Sequence, residues 1–137
     1  MGGPPGVTPK GYELAFGTNH VGHALLFHLL TPLLIRTSEA SATKPRVVSV
    51  GSRGHAYEVP PGGIAFSTLK SDQLELKGTT RYTQSKLANV VYAREIARNY
   101  PALVSVAIHP EDVATQLFSK GAPVSYTHLT LPTKRIV

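Results

Sequence analysis

Cysteine is missing from all 137 residues, which excludes disulfides and thiolate metal sites and leaves the redox compartment undetermined. Long hydrophobic runs are missing too. The longest, around Ala24 to Ile35, is interrupted by His28 and Pro32 and is too short to span a bilayer. The opening Met1-Gly2-Gly3-Pro4-Pro5-Gly6 lacks the basic and apolar regions of a signal peptide. No internal repeat is visible, and no Gly-x-Gly-x-x-Gly fingerprint occurs anywhere. The net charge is +6, yet the basic residues are scattered from Lys10 to Lys120 without a stripe, so no nucleic-acid partner is expected. What remains is the composition of a soluble globular chain the size of one ordinary domain, for which a cytoplasmic location is the expectation.

The pattern that is present alternates helix and strand. Thr8-Pro9 predicts a helix start, with Thr as N-cap and Pro at the first helical position. The helix would run to about Ile35 on a stripe of Leu14, Val21, Leu25, Leu29 and Leu33. Gly17 and Gly22 inside it suggest close packing or close backbone approach. After a polar linker from Thr37 to Pro45, Arg46–Ser52 reads as a buried parallel strand ending in small residues. Residues 54–80 show no sustained period and read as a long surface insertion. A second helix is expected from Tyr82 to Asn99, stopped by Pro101, and a second strand over Leu103–Ile108, closed by His109-Pro110. This rhythm is that of an α/β sheet with crossover helices.

The chemistry concentrates in Tyr82-Thr83-Gln84-Ser85-Lys86. Residues four apart share a helix face, so phenol and ammonium would stand side by side. A free tyrosine, with a pKa of about 10, carries protons poorly at neutral pH, and a fixed cation beside it favours the phenolate. Three further features converge on the pair. Asn19 sits mid-helix, where a short amide is a poor helix former and wants a reason. Ser52 ends the first strand, where α/β folds place ligand-facing groups, with Ser49 as the other available hydroxyl. His109-Pro110 ends the second. His20 and His23 are three apart on one helix, but no second His/Asp/Glu cluster faces them, so no metal is expected.

Four stretches together resemble the short-chain dehydrogenase/reductase family, in particular its retinol-dehydrogenase-like and WW-domain-oxidoreductase-like branch, with similar fungal proteins. They are Gly11–His23, Arg46–His55, Tyr82–Asn89 and His109-Pro110, in the family's order and over most of residues 8–117. The resemblance implies an α/β, doubly wound parallel-sheet Rossmann fold. It further implies an oxidoreductase that moves hydride between NAD(P)(H) and a small-molecule carbonyl or alcohol, without choosing NAD or NADP. Tyr82 would be the general acid/base, and Lys86 would hold the nicotinamide ribose. Ser52 would bind the substrate oxygen, and Asn19 would position a water. Pro110, Val113 and Thr115 would lie along the nicotinamide and its phosphates. Glu111-Asp112 stand where the family commonly has glycine, and carboxylates there would repel a pyrophosphate. The family's helices also imply a homodimer.

The resemblance is partial. The glycine turn and the Asn-Asn-Ala-Gly stretch of the family are not in the sequence, so the N-terminal nucleotide-binding strands and the C-terminal end are expected to be missing. Residues 1–123 then form a partial domain. Val124–Val137 read as an adapter-derived artefact, because Ser125-Tyr126-Thr127-His128-Leu129-Thr130-Leu131-Pro132-Thr133 is what a transposase-type sequencing adapter encodes. The alternative to an active enzyme is a catalytically inactive fragment of one, at most an interaction module.

Overall fold

The computed structural model describes residues 2–110, so Val113, Thr115 and the segment 124–137 lie outside the described residues. Two helical stretches and a small parallel sheet give an α/β arrangement. The first stretch comprises α1 (Leu14–Phe16), a π-helical turn (Gly17–Val21) and α2 (Gly22–Ala40). Strand β1 (Arg46–Val50) follows, then a segment with two 3₁₀ turns, α3 (Gly78–Asn99) and β2 (Val104–Ile108). β1 and β2 pair in parallel, Arg46 with Val104 through Val50 with Ile108. α3 is the crossover between them, as parallel pairing requires.

The first helix begins at Leu14, not at Thr8-Pro9. Thr8 instead closes a turn: its carbonyl accepts from Gly11 N, and its hydroxyl accepts from Tyr12 N at 3.1 Å. Gly11 supplies the positive φ (77°) that the turn needs. Glu13 is the actual cap, its carboxylate accepting from the backbone N–H groups of Ala15 and Phe16. The helix then continues to Ala40, which shortens the expected linker to residues 41–45.

Of the expected stripe, Val21 packs against the cluster of Phe16, but the leucines do not form the core face. Leu25, Leu29 and Leu33 are 56, 67 and 52 % exposed. The helix is apolar nearly all round, and periodicity cannot tell which side a neighbour covers. The covered side is that of Phe27, which packs with Ile96 of α3 and Leu103, flanked by Leu34, Val47, Tyr92 and Tyr100. A second cluster joins Phe16, Leu69 and Ala88. β1 is likewise not fully buried: Val48 and Val50 on one face are exposed, while Val47 on the other face packs against the Phe27 cluster. Residues 54–80 are more than a surface insertion. Leu69 enters the core, and Gln73 is fully buried, held by Thr68 Oγ1 at 2.8 Å and by the Gln84 amide.

α3 starts at Gly78, a turn earlier than its expected start at Tyr82. Its own N-cap, Lys77, makes no side-chain cap, and Glu58 of the insertion binds the hydroxyls of its first turn. The Glu58 carboxylate accepts from the Thr79 and Thr80 hydroxyls, which hold its pKa below the usual value, and negative charge is favoured at that end of a helix. The helix ends at Asn99, ahead of Pro101.

The two helical glycines separate cleanly. A Cβ on Gly17 would stand 2.5 Å from Thr8 Cγ2 and 3.2 Å from Tyr12 Cβ, whereas one on Gly22 would meet nothing nearer than the Gly17 carbonyl at 3.6 Å. Gly22→Ala is therefore expected to stabilise the chain by about 0.4–1 kcal/mol. Gly17→Ala is expected to destabilise it by about 1–3 kcal/mol despite the better helix propensity. Urea unfolding of the two variants checks the opposite signs.

Candidate active site

The carboxyl ends of the two strands gather most of the residues singled out by the sequence. Tyr82 and Lys86 lie one turn apart on α3, with the Lys86 ammonium 5.6 Å from the centre of the Tyr82 ring. Lys86 Nζ donates to the Val50 carbonyl at 3.1 Å, which anchors the side chain at the end of β1. Burial lowers the Lys86 pKa, so its charge is lost at a lower pH than that of an exposed lysine.

Asn19 reaches the same place from the π-helical turn. The extra residue of that turn shows in the Gly22 N–H, which donates to Gly17 O, five residues back. Such bulges recur at functional sites. Asn19 Nδ2 donates to Ser85 Oγ at 3.0 Å, and Ser85 in turn donates to the Tyr82 carbonyl. The Asn19 carbonyl accepts from His23 Nδ1 at 3.1 Å.

Asn19, Tyr82 and Lys86 together line a cavity of about 420 Å³, with Thr18, Arg81 and Gly78 along its wall. A second cavity of about 510 Å³ shares Asn19 and Lys86 and opens along β1 and the apolar side of α2. Ser52 lines neither. It lies two residues beyond β1, where its Oγ accepts from Gly54 N at 3.3 Å as the cap of a 3₁₀ turn. Ser49 lies within β1, in register with Ala107, and lines the larger cavity. Pro110 lies two residues beyond β2, at the same end of the sheet as Ser52, and is exposed.

Asn89 belongs to this cluster and was not singled out by the sequence. Its Nδ2 donates to the same Val50 carbonyl as Lys86, at 3.2 Å, and its Oδ1 meets His20 Nδ1 at 3.2 Å. The signal was available: Asn89 is three residues after Lys86 and seven after Tyr82, hence on the same helix face. His20 packs edge-on against Phe16 and Tyr92. Burial lowers its pKa; the Asn89 bond opposes that shift and the nearby His23 adds to it. His20 and His23 turn to different partners, and among the described residues no three His, Asp or Glu side chains gather as a metal would need.

The donor set of the smaller cavity suits sugar hydroxyls and a carbonyl oxygen: a phenol, an ammonium and an amide on rigid helices. It fits the nicotinamide-ribose end of a dinucleotide. For the pyrophosphate, the chain has no Gly-x-Gly-x-x-Gly turn.

No family model matches the chain. Among individual proteins, it is 40 % identical over 112 residues to retinol dehydrogenase 14 of Homo sapiens, covering 80 % of this chain and 30 % of that protein. It is 35 % identical over 120 residues to an uncharacterized oxidoreductase of Schizosaccharomyces pombe, covering 85 % of this chain and 35 % of that protein. A short-chain dehydrogenase/reductase of Phomopsis amygdali is 35 % identical over 115 residues, covering 80 % of this chain and 34 % of that protein. The chain thus spans about a third of the length of the curated relatives it matches.

Proposed function

Since the chain belongs to the short-chain dehydrogenase/reductase family, with retinol-dehydrogenase-like relatives, we propose that its cleft is the catalytic half of a nicotinamide-dependent oxidoreductase site. The observation that carries this is the convergence of Tyr82, Lys86 and Asn19 on one cavity at the carboxyl end of the sheet. The parallel pair and its crossover helix would then be part of a doubly wound Rossmann sheet, in which ligands sit at that end of the strands.

Tyr82 holds the proton delivered to a carbonyl oxygen, or taken from a hydroxyl in the reverse direction. Lys86, fixed by the Val50 carbonyl, orients the ribose hydroxyls and presents its charge to the Tyr82 ring. Ser52, whose Oγ accepts from Gly54 N and keeps its own proton to donate, is the hydroxyl that the family resemblance assigns to the substrate oxygen, but it lines neither cavity, and Ser49, which lines the larger one, is the competing hydroxyl. Asn19 braces α3 through Ser85 and keeps Tyr82 and Lys86 in register. NAD(H) or NADP(H), when bound, supplies or takes the hydride. The substrate class is a small-molecule carbonyl or alcohol. Retinal belongs in the test panel because of the relatives' names.

A second reading is favoured by the missing glycine fingerprint: residues 1–137 taken alone hold the ribose end of the cofactor without its pyrophosphate and do not turn over. Oxidation of NADH or NADPH by an aldehyde panel separates the two. Turnover by the purified 137-residue chain rules out the second reading. Lack of turnover even in a longer chain carrying this stretch and a glycine-rich nucleotide turn rules out the first.

A further inference from the structure

Tyr82 and Lys86 reach the cleft between neighbours that are all tied down elsewhere. Gln84 and Ser85 are 0 % exposed, and Arg81 and Thr83 are 5 % exposed. Thr83 donates to the Glu58 carbonyl in the insertion. Gln84 donates to Gln73 Oε1 and accepts from Ala65 N. Ser85 accepts from Asn19. Arg81 has the most partners. Its guanidinium donates to the carbonyls of Gly3, Gln73 and Leu76, and its Nε lies 3.5 Å from the Glu13 carboxylate.

Glu13, 1 % exposed, closes the frame from the other side. Its carboxylate caps α1, and its backbone N–H donates to the Leu69 carbonyl at 2.9 Å. One ion pair therefore joins the segment before α1, the start of the Asn19 helix, the insertion and the helix that carries Tyr82. Buried ion pairs are weak stabilisers, because both charges must leave water. A planar guanidinium fork with fixed partners is instead directional. Successive residues on a helix are rotated by about 100°, so fixing Arg81 fixes the direction in which Tyr82 leaves the helix.

We propose that the buried Glu13–Arg81 pair is a positioning device that sets the rotation of α3 and with it the entry of Tyr82 and Lys86 into the cleft. As a statement about catalysis this rests on the reading of that cleft as a nicotinamide site. Neither residue of the pair is assigned contact with substrate.

The test reads the site without any nucleotide. Reductive ¹³C-methylation of the 137-residue chain makes each lysine's titration visible by NMR, and Lys86→Arg assigns the Lys86 signal. In the unsubstituted chain Lys86 is expected to titrate below the exposed lysines, because burial lowers its pKa. Arg81→Lys keeps a charge beside Glu13, but three donors on a single nitrogen cannot reproduce the planar fork that spans the Gly3, Gln73 and Leu76 carbonyls and Glu13 together. In the folded variant the Lys86 titration is expected to move up toward that of the exposed lysines. Glu13→Gln, which keeps an acceptor oxygen for the cap, is expected to move it in the same direction by less. An unchanged Lys86 titration in both folded variants, even with lowered melting temperatures, makes the pair merely structural and overturns the proposal. Loss of folding in both variants overturns it as well, since a pair that folding itself requires has no separable effect on the site. Failure of the chain to bind nicotinamide nucleotides would instead remove the catalytic reading and leave the Lys86 comparison standing.

Discussion

Tyr82→Phe is expected to lower carbonyl turnover by about 10²–10⁴-fold, the usual contribution of a positioned general acid. That corresponds to about 3–5 kcal/mol of transition-state stabilisation. The substitution deletes one hydroxyl and leaves the ring that faces Lys86 at 5.6 Å, so folding and nucleotide affinity are expected to change little. The loss therefore falls on kcat in a catalytically competent chain carrying this stretch. Steady-state kinetics with NADH and NADPH, alongside a melting curve, check it. A fall in affinity with kcat preserved would remove Tyr82 from the proton transfer.

The largest effect on stability is expected from Arg81→Met. It removes the hydrogen bonds to the Gly3, Gln73 and Leu76 carbonyls and strands the Glu13 carboxylate in a buried place. Breaking one side of a buried pair typically costs about 3–5 kcal/mol. Glu13 still accepts from two backbone N–H groups, which places the expected loss near 3 kcal/mol. That is a sizeable share of the roughly 5–15 kcal/mol by which a domain is typically stable. Adding Glu13→Gln to Arg81→Met should recover part of it, with a coupling of about 0.5–3 kcal/mol. Urea unfolding of the four chains measures that coupling. A loss under about 1 kcal/mol, the worth of a surface pair, would show that the pair is not as buried as described.

How far the sequence could be read varies with the range of the interactions involved. The strands and the end of α3 were legible because their signals are local. Val and Ile cluster in the strands, and Pro101 cannot extend a helix. The start of the first helix was not. Thr8-Pro9 has the chemistry of a cap, but Gly6 and Leu69 accept from the Leu14 and Glu13 N–H groups and fix the start at Glu13. The leucine stripe misled because α2 is apolar on two sides, and only the positions of Tyr92, Ile96 and Tyr100 decide which side is covered. In the site, Tyr82, Lys86 and Asn89 share a helix face that spacing reveals. The Glu13–Arg81 pair, 68 positions apart, carries no such signal. The role of Gln73 and Gln84 was hidden for another reason: a polar, aperiodic segment reads as surface, and here its amides are what pack it against α3.

The most direct measurement is a titration of the ¹⁵N-labelled 137-residue chain with reduced nicotinamide mononucleotide, the half of the cofactor proposed for the cleft. Saturable shifts centred on Asn19, Tyr82, Ser85 and Lys86, and lost in Lys86→Met, are the predicted result. Shifts confined to the leucine face of α2 and the edge of β1 away from β2, or no saturable shift at all, would contradict the assignment of this cleft to a nicotinamide nucleotide.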